Sequence, residues 1–163
     1  MTGIESVHDL QALPLLDRLL LTTDGTVTPM LEHITGEPVS ITCLTRRSLE
    51  EAEAAKLSPL LDGAGPVQLR IVDIVGAHSR RIYVKARSLI VLEAIPAAVR
   101  RDLDETNTPV GVLLRAHRVE TYRELLDYRL LANEFQREYR ILHGGRTALL
   151  IKEHFLSECL QAS

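Results

Sequence analysis

Two charged residues stand where a sequence of this kind should be apolar. Thr147–Leu156 reads TALLIKEHFL, a strand pattern in which side chains alternate between faces. One face carries Leu149, Ile151, Glu153 and Phe155, and the other Ala148, Leu150, Lys152 and His154. Glu153 thus falls in the middle of the more apolar face. A carboxylate buried there is costly unless it is paired or neutralised, so Glu153 calls for an Arg, a proton or a ligand. A structural ion pair, or a register that exposes it, would also satisfy it. Arg70 is the mirror case. In VQLRIVDIV (67–75) it shares a face with Gln68, Val72 and Ile74, while Asp73 lies on the other. A guanidinium on a sheet face can hold a carboxylate ligand through two parallel bonds, or pair with an acid on a neighbouring strand. Arg87 and Arg140 are weaker candidates of the same type. Inward-capable charge of both signs on one sheet suits a small anionic ligand without identifying it.

The elements that would position these residues can be read along the chain. The spacing of Leu10, Leu13, Leu16, Leu19 and Leu20 is helical over 8–21, and Pro14 inside the run is placed to begin the helix, in its first turn, with Asp24-Gly25 beyond its end. Thr26 is placed to cap a second short helix through about His33. Val39–Thr45 alternates as a strand, and 48–56 is polar and helix-friendly. Residues 62–66 form a loop. The runs 67–75 and 82–92 predict an antiparallel hairpin around the short polar connection 76–80. Pro96 opens a helix through about Glu105, and Thr108 can cap another over 109–116. Residues 119–138 look helical locally, although Val119, Thr121 and Tyr122 suit a strand start. Strands at 139–142 and 147–156 flank His143-Gly144-Gly145-Arg146, a glycine turn. Hairpins interrupted by helices, without regular βαβ alternation, predict an α+β domain on an antiparallel sheet.

Composition narrows the function classes. A chain of 163 residues fits one domain and buries enough surface to fold without a metal or disulfide. No apolar run approaches the length of a membrane span. The first residues, MTGIESVHDLQ, lack the basic flank and apolar core of a secretory signal, which points to the cytoplasm. Nineteen basic against 22 acidic residues give a net charge of −3, the wrong balance for a polyanion binder. Only Lys56, Lys85 and Lys152 are lysines, so positive charge is almost all Arg, the better partner for carboxylates. Cys43 and Cys159 are far apart and read as reduced, buried, small apolar side chains. His33, His78, His117, His143 and His154 are scattered, and no Cys/His spacing suggests zinc.

Taken in order, several segments resemble the chorismate lyase (chorismate–pyruvate lyase) family, particularly its bacterial and archaeal branch outside the ubiquinone-pathway enzymes. They are LLLTTDGTVTPMLEHITGEPVSI at 19–41, the Arg70 strand, ARSLIVLEAIPAAVRRDL at 86–103, TNTPVGVLLRAHRVETYRE at 106–124, and YRILHGGRTALLIKEHFL at 139–156. The succession of strand-Arg, TPxG, glycine turn and strand-Glu is the specific part.

The resemblance implies one chorismate lyase-like domain over residues 1–163. Its α+β fold would be a single antiparallel sheet of about six strands, with helices covering one side and the ligand enclosed between sheet and helical flaps. The family's carboxylate-binding arginine falls on Arg70 and its site glutamate on Glu153. Ligand-holding flap positions fall on Val110 of TPVG, where the better-known branch has Leu, and on Val27, where that branch has Met. The strand after the TPxG helix overrides the helical look of 119–126.

The implied reaction removes the enolpyruvyl group of chorismate, giving 4-hydroxybenzoate and pyruvate. No metal or other cofactor is implied, because aromatisation drives the elimination. Arg70 would clamp the ring carboxylate, and Glu153 would accept a hydrogen bond from the ring 4-hydroxyl. Glu153 could act as base or orienter, or the enolpyruvyl methylene could take the ring proton in a cyclic step.

Chorismate and 4-hydroxybenzoate are thus the expected partners, with no nucleic acid or membrane, and the oligomeric state is left open. The Val27 and Val110 departures keep a lyase for amino-deoxychorismate or isochorismate in view. A non-catalytic binding module for small aromatic acids is a third reading, since effector domains of some bacterial regulators resemble this family in fold. Such domains normally follow a helix-turn-helix. Here only about 38 residues precede the first strand, and they match the lyase flap.

Overall fold

A computed structural model describes residues 10–161 apart from 24, 64 and 132. The reading of residues 1–9, with the helical spacing at 8–9, and the turn and loop assignments at Asp24 and Ala64 lie outside the described residues.

Six antiparallel strands form one open sheet in the order β1-β2-β3-β6-β5-β4. They are β1 (Val39–Ser48), β2 (Val67–Gly76), β3 (Ile82–Val91), β4 (Tyr122–Leu130), β5 (Glu134–His143) and β6 (Arg146–Leu156). The helices are α1 (Leu15–Thr22), α2 (Val27–Thr35), α3 (Glu51–Leu57), α4 (Ala97–Glu105), α5 (Val110–Ala116) and α6 (Ser157–Gln161). Two three-strand meanders thus meet along β3 and β6, which places the Glu153 strand at the centre of the sheet. None of the described helices is long and apolar enough to cross a membrane.

The core lies mainly between one sheet face and the helices. Leu20, Leu21, Val27 and Leu31 of α1 and α2 pack with Ile74, Val84, Phe135 and Phe155. Val99 and Leu103 of α4 and Leu113 and Leu114 of α5 pack with Ile90, Tyr139, Ile141, Leu149 and Ile151. Short α3 and the turn after it are the exception. Leu57 and Leu61 join Leu69, Leu89, Val91 and Leu150 in a third cluster. The rest of that second face bears charge, with Asp73 paired to Lys85 in register and Lys152 to Glu138. Opposite charges on facing strands support the pairing.

Local chemistry explains most boundaries. His143 pairs with Arg146 around Gly144 and Gly145, whose φ of 58° and 76° are the left-handed values a two-residue hairpin turn needs. At the end of β2, a Cβ on Gly76 would come within 2.1 Å of a Glu37 carboxylate oxygen, so only glycine lets that acid reach Ser79 and Tyr83. Two capping expectations are corrected. Thr26 occupies the cap of α2 but makes no side-chain cap bond. Pro109, not Thr108, caps α5, because its ring fixes the turn into the helix.

The strand implied over 119–126 is present as β4, which starts at Tyr122, and the departure lies beyond it. Among the described residues of 127–138 no helix forms: β4 runs on to Leu130, and β5 begins at Glu134 rather than 139. Glu, Leu and Arg are good helix formers, but pairing with β6 on one side and β4 on the other outweighs that weak preference. Cys43 and Cys159 are unpaired and half-buried rather than buried.

Candidate active site

In an antiparallel sheet, residues paired across strands point to the same face. Arg70 pairs with Ser88, Ser88 with Ile151, and Ile151 with Tyr139. One pleat along, Val72 pairs with Ala86, Ala86 with Glu153, and Glu153 with Arg137. Arg70 and Glu153 therefore share the helix-covered face. They stand two strands and two residues apart, about 12 Å at the backbone on a flat sheet. Between that face and the starts of α2 and α5 lies a cavity of about 540 Å³, counting its open mouth. Arg70, Glu153, Val27 and Val110 all line it, so the four residues singled out from sequence converge on one space. Its floor is apolar, with Val72, Ile74, Ala86, Ile141 and Ile151. That lining suits a ring-shaped ligand fixed by a few polar groups.

Arg70 is 3% exposed. Both terminal nitrogens donate to the carbonyl of Thr108, each at 3.3 Å, and Nε has no hydrogen-bond partner. Burial lowers its pKa, opposed by the nearby Cys43 thiol. Among the described residues no carboxylate lies within ion-pairing distance of it. The expected alternative, a cross-strand acid, is not found there, since its cross-strand neighbours are Arg46 and Ser88.

Glu153, by contrast, has its partner. Arg137 Nε donates to Oε2 at 2.6 Å, and the Tyr139 hydroxyl donates to Oε1 at 3.0 Å. Arg137 is 2% exposed, and its Nη1 donates to the carbonyls of Leu20 and Thr23 at 2.8 and 2.9 Å. Its guanidinium lies 4.8 Å from the Tyr139 ring centre. Burial, reinforced by the charge of Glu153, pushes the Tyr139 hydroxyl far above its ordinary range, so it stays a donor. The structural pairing foreseen for Glu153 is therefore real, yet it leaves lone-pair capacity for a ligand hydroxyl, because a carboxylate accepts about four hydrogen bonds.

Val27 and Val110 are the first residues of α2 and α5. First-turn amides have no partner within their helix, so both positions offer backbone donors at the cavity. Arg87 and Arg140 do not belong to the site. Arg87 is exposed and shares its face with Lys152, and Arg140 pairs with Glu124 at 2.5 Å.

Arg123, Arg137 and Tyr139 went unread as site residues in the sequence. For Arg137 and Tyr139 the signal was the alternation Phe135, Arg137, Tyr139, Ile141, every member of which is buried. The helical look of the segment up to 138 hid it. Among the described residues, no three His, Cys, Asp or Glu side chains are grouped to hold a metal ion.

The model of the Rv2949c-like chorismate pyruvate-lyase family matches residues 21–162. A chorismate pyruvate-lyase of Mycobacterium leprae is 30% identical over 161 residues, covering 88% of this chain and 75% of that protein. One from Mycobacterium tuberculosis is 29% identical over 158 residues, covering 85% and 78%. Among solved structures, PhnF from Mycobacterium smegmatis is similar with a TM-score of 0.59 at 12% identity, over 84% of this chain and 66% of that one. That last likeness is one of fold.

Proposed function

The chain belongs to the Rv2949c-like chorismate pyruvate-lyase family, and on that footing we propose that it converts chorismate to 4-hydroxybenzoate and pyruvate. The observation that carries this reading is Arg70, a buried guanidinium with no acid partner among the described residues. An uncompensated buried charge costs several kcal/mol, and a ligand carboxylate removes that cost. The ring carboxylate of chorismate meets the need with two parallel charge-assisted bonds.

The rest of the site follows from the ring's dimensions. With its carboxylate on Arg70, the ring lies over the apolar floor and presents its 4-hydroxyl toward Glu153. Glu153 accepts that hydroxyl's hydrogen bond. Tyr139 and Arg137 keep the carboxylate from turning away. The ring C3–O bond then breaks and the proton on C4 leaves. The ring becomes aromatic, and the departing three-carbon unit ends as pyruvate. Both oxygens of Glu153 are already engaged, which favours an orienting role over proton abstraction. The C4 proton then passes to the enolpyruvyl methylene in a cyclic step. The protein's contribution is to hold the reactive conformer in a dry, charged enclosure.

The test is an assay for both products. Purified protein with chorismate should release pyruvate and 4-hydroxybenzoate in equal amounts without added metal, and Arg70→Ala should not. Isochorismate and amino-deoxychorismate, run alongside, separate chorismate from its analogues. Inactivity on all three overturns the reading.

A further inference from the structure

Three charged side chains line the cavity: Arg70, Glu153 and Arg123. Glu153 is already balanced by Arg137. That leaves two guanidiniums facing one space with no acid partner among the described residues. Arg123 pairs with Ile141 in register, so it rises from the edge strand β4 onto the cavity face. It lies four strands and two residues from Arg70, about 20 Å at the backbone on a flat sheet, and both side chains line the same cavity. Arg123 Nη1 donates to the carbonyl of Gly25 at 2.6 Å, a neutral acceptor in the turn before α2. Its guanidinium carbon stands 5.5 Å from the centre of the Tyr139 ring. A Cβ on Gly111 would meet Arg123 Nη2 at 3.1 Å and Thr26 Oγ1 at 2.9 Å. The guanidinium therefore sits where the starts of α2 and α5 close over the cavity, at the end away from Arg70.

A space bounded by two cations that have no acid partner among the described residues is matched in charge by a dianion. We propose that Arg123 binds a second ligand carboxylate, so that the site selects dicarboxylates in which one acid sits on the ring and the other on a short side chain. This rests on the lyase reading in one respect: in chorismate the second acid is the enolpyruvyl carboxylate. Arg70 holds the ring, Arg123 holds the departing group, and the bond to be broken is fixed between them. Lysine would supply the charge without the planar fork.

A matched pair of unreactive probes tests this whether or not chorismate turns over. Benzoate carries the ring acid alone, and 3-(carboxymethoxy)benzoate adds an acid on a short ether arm. Calorimetry with the full chain should show the dicarboxylate binding about 10- to 100-fold more tightly, the scale of one charge-assisted contact. Arg123→Met should erase that advantage and change benzoate affinity less than about threefold, well under one such contact. Arg123→Lys should keep part of it, and Arg70→Met should lose both probes. A structural role for Arg123 would instead weaken both probes together. That result, equal binding of both probes by the unaltered chain, or an advantage that survives Arg123→Met overturns the proposal. Failure of chorismate turnover alone would strike only the lyase reading.

Discussion

Replacing Arg70 by Met should leave the ligand-free protein no less stable while abolishing its function. The guanidinium is 3% exposed, donates to the Thr108 carbonyl at 3.3 Å, has the Cys43 thiol besides as a nearby polar side chain acting favourably on its charge, and leaves Nε unpaired. Removing a charge whose acid partner stays behind costs about 3–5 kcal/mol, whereas exchanging buried charge for well-packed apolar volume often gains about 1–4 kcal/mol. The abandoned carbonyl of Thr108 offsets about 1 kcal/mol of any gain. The expected balance is a gain of about 0–3 kcal/mol, combining those two figures. For a chain of this length each kcal/mol moves Tm by about 2–4 °C. Thermal unfolding without ligand should therefore place Arg70→Met level with the unaltered protein or about 10 °C above it. With 4-hydroxybenzoate at a hundred times its Kd the order should change. The unaltered protein gains about 2.7 kcal/mol, and the variant gains nothing. A variant that melts well below the unaltered protein without ligand would show that Arg70 has a protein partner. One that keeps the ligand-induced rise would show that the carboxylate binds elsewhere.

The Glu153–Arg137 pair should behave in the opposite way. Glu153→Leu strands the Arg137 charge and should cost about 3–5 kcal/mol in urea unfolding. Adding Arg137→Met should restore most of that loss, and a double variant no better than the single would refute the pairing. Glu37 predicts a pH effect. Bonds from the side chains of Ser79 and then Tyr83, with further help from backbone amides, lower its pKa from the usual 4.5 to about 2. Because the folded value is depressed, this contribution is full above pH 4.5 and is lost as the pH falls toward 2. The urea midpoint of Glu37→Gln should fall less across that window, and identical pH profiles would refute the assignment.

Strand parity carried most of what the sequence disclosed. Glu153 and Arg70 each break an apolar alternation, and alternation alone assigns a side chain to a face. Both assignments place the residue on the helix-covered face. The same rule fails when the start of a strand is misplaced. With β5 begun at Tyr139, its buried partner Arg137 was never tested, while Arg140, one position along, was considered although it faces the other way. A one-residue error in parity exchanges buried for exposed throughout a strand. Arg123 was hidden for a different reason. It occupies an edge strand whose sequence carries helix formers on both sides. What turns it inward is pairing with Ile141, a contact no local pattern contains.

The arginines of β4 and β5 also decide where the first helical layer sits. Arg137 donates to the carbonyls of Leu20 and Thr23, at the end of α1, and Arg123 to that of Gly25 in the following turn. Helix C-terminal carbonyls are partly negative and lack intrahelical donors, so guanidiniums are apt partners there. Three carbonyls over six residues are thus held from below, that of Gly25 by Arg123, which lines the cavity, and the other two by Arg137, which holds Glu153. Val27, two residues beyond Gly25, is carried with them. The carboxylate of Glu153 is fixed by Arg137, and Arg137 by α1, so the position of the acid and the position of the helical cover are one constraint. A sheet of this topology does not itself specify a lyase. In this chain Arg123 both lines the cavity and holds the turn that covers it, while Arg137 ties the same cover to Glu153.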